Sequence, residues 1–120
     1  MCIRDRITTL DRYPLNSNDP DASKRVVDAF RAYFGPDRVR QTGPAPASED
    51  FGSFGSEWGS PSVFWFVGGT DPETYAKAKA ENRLNELPVN HSPKFAPVIH
   101  PTLRTGVETL VVATRAWLSA

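Results

Sequence analysis

The stretch Ser62-Val63-Phe64-Trp65-Phe66-Val67, followed by Gly68-Gly69, decides the fold expected for this chain. Its residues from Val63 to Val67 are all apolar, with no alternation between apolar and polar positions. A strand that is apolar on both sides is typical of a sheet covered by helices on both faces. The stretch therefore predicts an α/β fold in which Val63–Val67 is a strand of the sheet.

The two glycines after this strand mark a candidate ligand-binding edge. In open α/β sheets, ligands bind beyond the carboxyl ends of the strands, and glycine lets the backbone approach a ligand or another loop closely. A tight turn that leaves a strand explains the two glycines at least as well. Gly68 and Gly69 are therefore substrate-binding residues on one interpretation and turn residues on the other.

Two long helices are predicted on either side of the apolar stretch. Asn18, Asp19 and Pro20 offer a cap and a first-turn proline, and apolar residues then recur at helical spacing over Ala22–Phe34. The last helix is predicted from near Pro101 to the end of the chain. Its apolar stripe comprises Leu103, Val107, Leu110, Val111, Thr114, Trp117 and Leu118. Both helices are expected to pack on the sheet.

Shorter elements complete the predicted fold. Ser48 is expected to cap a short helix that carries Glu49 and Asp50 in its first turn and directs two aromatic side chains, Phe51 and Phe54, inward. A second, exposed helix is predicted from Asp71-Pro72-Glu73 to about Ala80. Short strands are predicted at Ile7–Leu10 and Val39–Gln41.

Composition limits the classes of function. Lys plus Arg and Asp plus Glu both number 14, so there is no basic surplus to indicate a nucleic-acid partner. The longest apolar run, Val63–Val67, is too short to cross a membrane. A single cysteine excludes an internal disulfide and favours a reducing compartment, so a cytoplasmic location is expected.

The first six residues, Met1-Cys2-Ile3-Arg4-Asp5-Arg6, resemble the translation of a sequencing adapter read through into a coding sequence. On this interpretation residues 1–6 are an artefact, Cys2 is neither a ligand nor a nucleophile, and the chain is a C-terminal fragment. A genuine disordered N-terminus is the alternative.

The loop Val89-Asn90-His91-Ser92-Pro93-Lys94-Phe95 carries one of the two histidines. A metal site needs three or four ligands, and His91, His100, Glu49 and Asp50 are the candidate set, without any recognised spacing. A lone loop histidine is more often structural or simply exposed. Acidic residues in a first helical turn also favour the helix dipole without any metal.

Two further assignments limit the candidate chemistry. His100 precedes Pro101 and is expected at the start of the last helix. A serine nucleophile at Ser48 or Ser92 has no nucleophile-elbow sequence around it, so little favours a Ser/His/Asp site.

Several motifs follow one another in a specific order. They are Tyr13-Pro14 with Asn18-Asp19, Ser48-Glu49-Asp50-Phe51, Gly68-Gly69, Asn90-His91-Ser92-Pro93 with Phe95, and Gly106 in the second turn of the last helix. In this order they resemble the C-terminal third of a metal-dependent amidohydrolase of the aminoacylase, hippurate hydrolase and indole-acetyl-amino-acid hydrolase group. The resemblance covers nearly all of the chain from Ile7 onward, and each motif alone is weak.

The resemblance implies a domain organisation and a function. Residues 7–18 would end an inserted ferredoxin-like lid and dimerisation domain, and residues 19–120 would be the C-terminal part of an α/β catalytic domain. The whole enzyme would bind two divalent metal ions, zinc or manganese, and hydrolyse the amide bond of N-acyl amino acids or related small amides. It would be a homodimer with a small-molecule substrate.

The resemblance also implies roles for individual residues. His91 matches the C-terminal histidine ligand of the group, and Glu49 and Asp50 match its Glu-Asp-Phe motif beside the cleft, without a firm role. The remaining ligands and the glutamate base lie upstream in the group, so this chain holds no catalytic residue and is expected to be inactive alone. We expect His91, Ser48–Phe51 and Gly68-Gly69 to share one edge of the sheet.

One alternative of a different class remains open. A small non-enzymatic α/β interaction module explains an incomplete site without truncation. It explains less well why so short a chain contains a strand that is apolar on both faces, because such a strand needs neighbours on both sides.

Overall fold

A computed structural model of the chain describes residues 6–8, 13, 15–47 and 49–118. This part of the chain contains four α-helices: α1 (Pro20–Phe34), α2 (Gly52–Trp58), α3 (Pro72–Ala80) and α4 (Ile99–Leu118). Two short 3-10 helices span Pro36–Arg38 and Leu84–Glu86. The chain divides into two compact units, Met1–Phe64 and Trp65–Ala120. Each unit is described separately.

The predicted α/β fold is wrong, because the described residues contain helices and no strand. Val63–Val67 has no regular secondary structure, and neither has Val39–Gln41. The same holds for residues 6–8, 13 and 15–18, so the described part of the expected lid strand is not a strand. The rest of Ile7–Leu10, residues 9 and 10, lies outside the described residues.

At Phe64, near the start of the apolar stretch, hydrogen bonds from a side chain replace the backbone pairing of a sheet. The Asn18 side chain accepts from the Phe64 backbone N–H at 2.7 Å and donates to the Phe64 carbonyl at 2.8 Å. Two residues before Phe64, the Ser62 carbonyl accepts from the Asp19 N–H at 3.0 Å. A side-chain amide offers one acceptor and donors as a peptide unit does, so Asn18 takes the place of a neighbouring strand at Phe64.

Helix α1 forms as the sequence predicts. The Asp19 carboxylate caps it by accepting from the Ala22 N–H at 2.8 Å, and Pro20 occupies its first turn. The helix ends at Gly35, whose φ of 88° lies in the region that glycine tolerates best. Its buried face consists of Ala22, Val26 and Phe30. Capping and periodicity together therefore located this element correctly.

Helix α4 also forms, but the face that it buries is not the predicted one. Thr109 and Ala113 are buried, whereas the predicted stripe of larger apolar residues is exposed. Small residues on the buried face allow extended chain to come close: the Thr102 hydroxyl, near the start of the helix, donates to the Gly68 carbonyl at 3.3 Å. With no sheet among the described residues, the larger stripe has no surface of this kind to pack on.

The apolar core of the described residues is small. It consists of five buried side chains: Ala22, Val26, Phe30, Ala78 and Ala113. Among the described residues, no Cα pair closer than 8 Å joins α1 to α2 or α3 to α4, so the α-helices of one unit do not pack on each other. Within the described ranges, no helix combines the length and the apolar character that a membrane span requires.

Candidate functional site

His91 lies in the first of two consecutive turns. The Ser92 N–H donates to the Val89 carbonyl at 3.0 Å, and the Phe95 N–H donates to the Ser92 carbonyl at 3.0 Å. The Ser92 hydroxyl also accepts from the Lys94 N–H at 3.2 Å. Backbone and side chain of Ser92 thus hold the loop that carries the imidazole.

The backbone of His91 adopts a conformation that is uncommon for a residue with a side chain. Its φ is +70°, at the third position of the turn that begins at Val89. Type II turns need a positive φ at this position and usually place Gly or Asn there. The imidazole is exposed and makes no hydrogen bond or ion pair with any residue that the structure describes. Both ring nitrogens are therefore accessible to a ligand.

Gly68 and Gly69 contact the segment that follows the His91 loop. The Val98 N–H donates to the Gly69 carbonyl at 3.0 Å. A Cβ atom at Gly69 would lie 3.1 Å from the Cβ of Pro97 and 3.6 Å from the Phe95 ring. Glycine is needed at position 69 because the chain approaches it closely, which accounts for this residue without any bound ligand.

Glu49 and Asp50 precede α2 instead of forming its first turn, so the predicted helix start is wrong. The helix begins at Gly52, and Ser48, the predicted cap, lies outside the described residues. Glu49 stays outside the helix because its carboxylate accepts from the Phe51 N–H at 3.1 Å. The Asp50 carboxylate is exposed and makes no hydrogen bond with the described part of the chain.

The aromatic residues at the start of α2 and within it divide into a packed and an exposed set. Phe51 is half-buried and packs against Phe64, with ring centroids 5.5 Å apart. Phe54 is 55% exposed, so the prediction that it points inward is wrong. Its ring instead lies 5.8 Å from that of Trp58, which is also exposed.

Two glycines of α2 allow a close packing that sequence reasoning missed. A Cβ at Gly52 would lie 3.0 Å from the Asn16 Cα, and one at Gly55 would lie 3.0 Å from the Ser60 carbonyl oxygen. With the Asn18–Phe64 hydrogen bonds, these contacts join three segments of the unit Met1–Phe64, which we call the Asn18 clasp: Asn16–Asp19, Phe51–Gly55 and Ser60–Phe64. Two glycines inside a short helix were the only signal, because glycine weakens a helix unless packing requires it.

His100 is a helix-start residue, as predicted. His100 lies within the bounds of α4, but its φ of −113° and ψ of 128° are not helical. It directly precedes Pro101. Proline disfavours the helical conformation in the residue before it. The side chain is exposed. Its position follows from local backbone chemistry and needs no ligand.

The structure brings some of the predicted site residues into one unit. His91, Gly68 and Gly69 belong to Trp65–Ala120, and Glu49 and Asp50 belong to Met1–Phe64. No group of three or more His, Cys, Asp or Glu side chains suited to holding a metal ion occurs among the described residues. The assignment of His91 as a metal ligand and of the other four as substrate-binding or supporting residues stays a prediction.

No protein-family model matches this chain, and no solved structure matches it significantly. The resemblance to metal-dependent amidohydrolases therefore rests on the order of the motifs in the chain.

Proposed function

We propose that this chain is the C-terminal part of a metal-dependent amidohydrolase that hydrolyses the amide bond of N-acyl amino acids or related small amides. The observation that carries the proposal is the exposed His91 imidazole in its Asn-His-Ser-Pro turn, preceded in the chain by Glu49-Asp50-Phe51 and Gly68-Gly69.

His91 is suited to bind one metal ion through a neutral imidazole. Its ring nitrogens are not engaged by any described residue, and Ser92 holds the turn on its C-terminal side. A divalent zinc or manganese pair, when bound, would lower the pKa of a water ligand and polarise the amide carbonyl. The other ligands and the general base would come from upstream of this chain, so the chain alone would not catalyse the reaction.

The remaining predicted residues have supporting roles in this proposal. Glu49 holds the turn before α2 through the Phe51 N–H, and Asp50 is exposed beside it. Both are assigned a substrate-binding or supporting role, without a firm function for either carboxylate. Gly69 lets the Phe95–Pro97 segment pass closely, which fixes the chain that leaves the His91 loop. The proposed enzyme acts in the cytoplasm as a homodimer, on a small molecule and without nucleic acid.

The test uses the longer protein that contains the upstream ligands. His91→Ala removes one coordination bond, so metal content should fall and hydrolysis of N-acyl amino acids should drop by several orders of magnitude. His100→Ala is the matched control and should retain both. If Glu49 supports the metal site, Glu49→Gln should lower the activity by roughly 10–100-fold, an effect between those of the two histidine variants.

Two outcomes would overturn this assignment. Full metal content and full activity in His91→Ala would show that His91 is not a ligand. Equal losses in His91→Ala and His100→Ala would show that both substitutions act through the fold.

A second candidate function, a non-enzymatic interaction module, is favoured by the exposed apolar stripe on α4. Extending the coding sequence upstream of residue 7 separates the two candidates. A continuous reading frame that encodes a Cys-x-His pair and a Glu-Glu pair supports the enzyme, and a frame without them supports the module.

A further inference from the structure

The positive φ of His91 has to be held in place by other residues. At +70° this backbone lies in a region that residues with a side chain adopt only at a cost in free energy. Such a conformation persists where the surrounding structure holds it. The hydrogen bond from Ser92 to Val89 closes the turn, but a bond between partly exposed groups contributes little because water competes for them. The conformation of His91 therefore depends on contacts outside its own turn.

Phe95 connects the His91 loop to another segment of the same unit. Its N–H donates to the Ser92 carbonyl at 3.0 Å and so closes the second turn of the loop. Its ring is half-buried, and the tip of the ring faces Gly69, where an added Cβ would lie 3.6 Å away in ordinary van der Waals contact. Backbone and ring of Phe95 thus link Ser92, the residue that follows His91, to Gly69.

The segment that the ring contacts is itself anchored. The Gly69 carbonyl accepts from the Val98 N–H at 3.0 Å, and the Gly68 carbonyl accepts from the Thr102 hydroxyl at 3.3 Å. Pro97 stands close by, with its Cβ 3.1 Å from the position that a Cβ of Gly69 would take. The glycine segment is therefore fixed by the chain that follows the loop, up to the first turns of α4.

We propose that Phe95 is a positioning residue for His91. Its ring holds the loop against Gly69, so that His91 keeps its positive φ and its imidazole keeps one direction. In Phe95→Ala this contact is lost, and the turn can relax to a negative φ. Because φ sets the direction of the Cα–Cβ bond relative to the preceding chain, the imidazole would then point elsewhere. The role of Phe95 toward a metal ion rests on the proposed function, whereas the order of the loop is a property of this chain alone.

The first experiment measures the His91 backbone by NMR in the chain itself. Coupling constants of its amide and α protons report φ, and nitrogen relaxation gives its order parameter. Wild type should show a positive φ with an order parameter of about 0.85, typical of rigid backbone, and Phe95→Ala should lower it below about 0.6. Phe95→Leu keeps an apolar side chain with a shorter reach and should give an intermediate value.

Phe66→Ala is the matched control, because it makes the same substitution in the same unit at a phenylalanine that is 63% exposed. It should leave the order parameter of His91 unchanged. The amides of α4 are the internal reference, since a general loss of structure would lower their order parameters as well. A His91 order parameter that stays high in Phe95→Ala, or that falls only together with those of α4, would overturn the positioning role. Phe95→Leu keeps the test decisive if Phe95→Ala does not fold.

The second experiment measures zinc binding by the longer protein that contains the upstream ligands. Phe95→Ala should raise the dissociation constant by roughly 10–100-fold, as the loss of groups that orient a metal ligand does, and Phe66→Ala should not. Zinc binding that needs His91 but is unchanged in Phe95→Ala would overturn the positioning role and leave the proposed function intact. Zinc binding that does not need His91 would overturn the proposed function, and with it the role of Phe95 toward the metal.

Discussion

Replacing Asn18 by alanine should release the Phe64 backbone from the two hydrogen bonds that the Asn18 side chain makes with it. The substitution removes both side-chain hydrogen bonds, at 2.7 and 2.8 Å. A hydrogen bond contributes about 0.5–1.5 kcal/mol net, and these two are solvent-exposed, so the expected loss is about 1–2 kcal/mol. The loss should be local, because the Asp19 cap on α1 does not use Asn18.

Amide hydrogen exchange measured by NMR reads this loss at the residue concerned. The Phe64 N–H should exchange about 5–30-fold faster in Asn18→Ala, while the amides of α1 should change much less. Asn18→Asp keeps an acceptor for the Phe64 N–H but loses the donor to the Phe64 carbonyl, so an intermediate effect is expected. Ser17→Ala, at the neighbouring exposed position, is the control. Unchanged Phe64 exchange in Asn18→Ala would refute the idea that a side chain replaces a strand here.

Three further predictions concern single residues. Gly55→Ala should lower the free energy of unfolding despite alanine's higher helix propensity, because the new Cβ would meet the Ser60 carbonyl at 3.0 Å. Gly106→Ala, where no atom lies within 4 Å of the added Cβ, should raise the free energy of unfolding by up to about 1 kcal/mol. Thermal denaturation compares the two variants, and a stability gain in both would contradict the packing at Gly55. Hydrogen bonds from the Thr74 N–H and hydroxyl lower the pKa of Asp71 from its ordinary value of 3.8. The ionised carboxylate should therefore stabilise α3 fully above pH 3.8, and this stabilisation should be lost as the pH falls through the lowered pKa. The Thr74 amide shift should follow this titration in wild type and not in Asp71→Asn.

Local signals in the sequence predicted the helices well. Asp19 before α1 and Asp71 before α3 both cap their helices through a carboxylate, and a proline occupies the first turn of each. These interactions involve residues only three apart, so they do not depend on the rest of the fold. The apolar stretch failed because a strand needs a neighbour with free backbone groups, and no sequence pattern indicates that an asparagine side chain will supply them.

The face that a helix buries is also a property of its surroundings. The stripe of α4 was correctly recognised as amphipathic, but its burial depended on a surface that the described residues do not provide. At the candidate site, a glycine at position 69 indicates that another segment of the chain can approach the backbone closely, and Pro97 does so. The positive φ of His91 does not, because a turn of this kind usually selects Gly or Asn.

The Asn18 clasp has a consequence for the chemical ageing of the protein. Asparagine side chains deamidate when the backbone nitrogen of the next residue attacks the side-chain carbonyl. In this fold that nitrogen belongs to Asp19, and its N–H is held by the Ser62 carbonyl, while the Asn18 amide is held by Phe64. Both reacting groups are thus restrained by the contacts that they make, so the folded chain should keep Asn18 intact. Deamidation should accumulate only where the clasp has opened, and each event would remove the donor that helps to close it again.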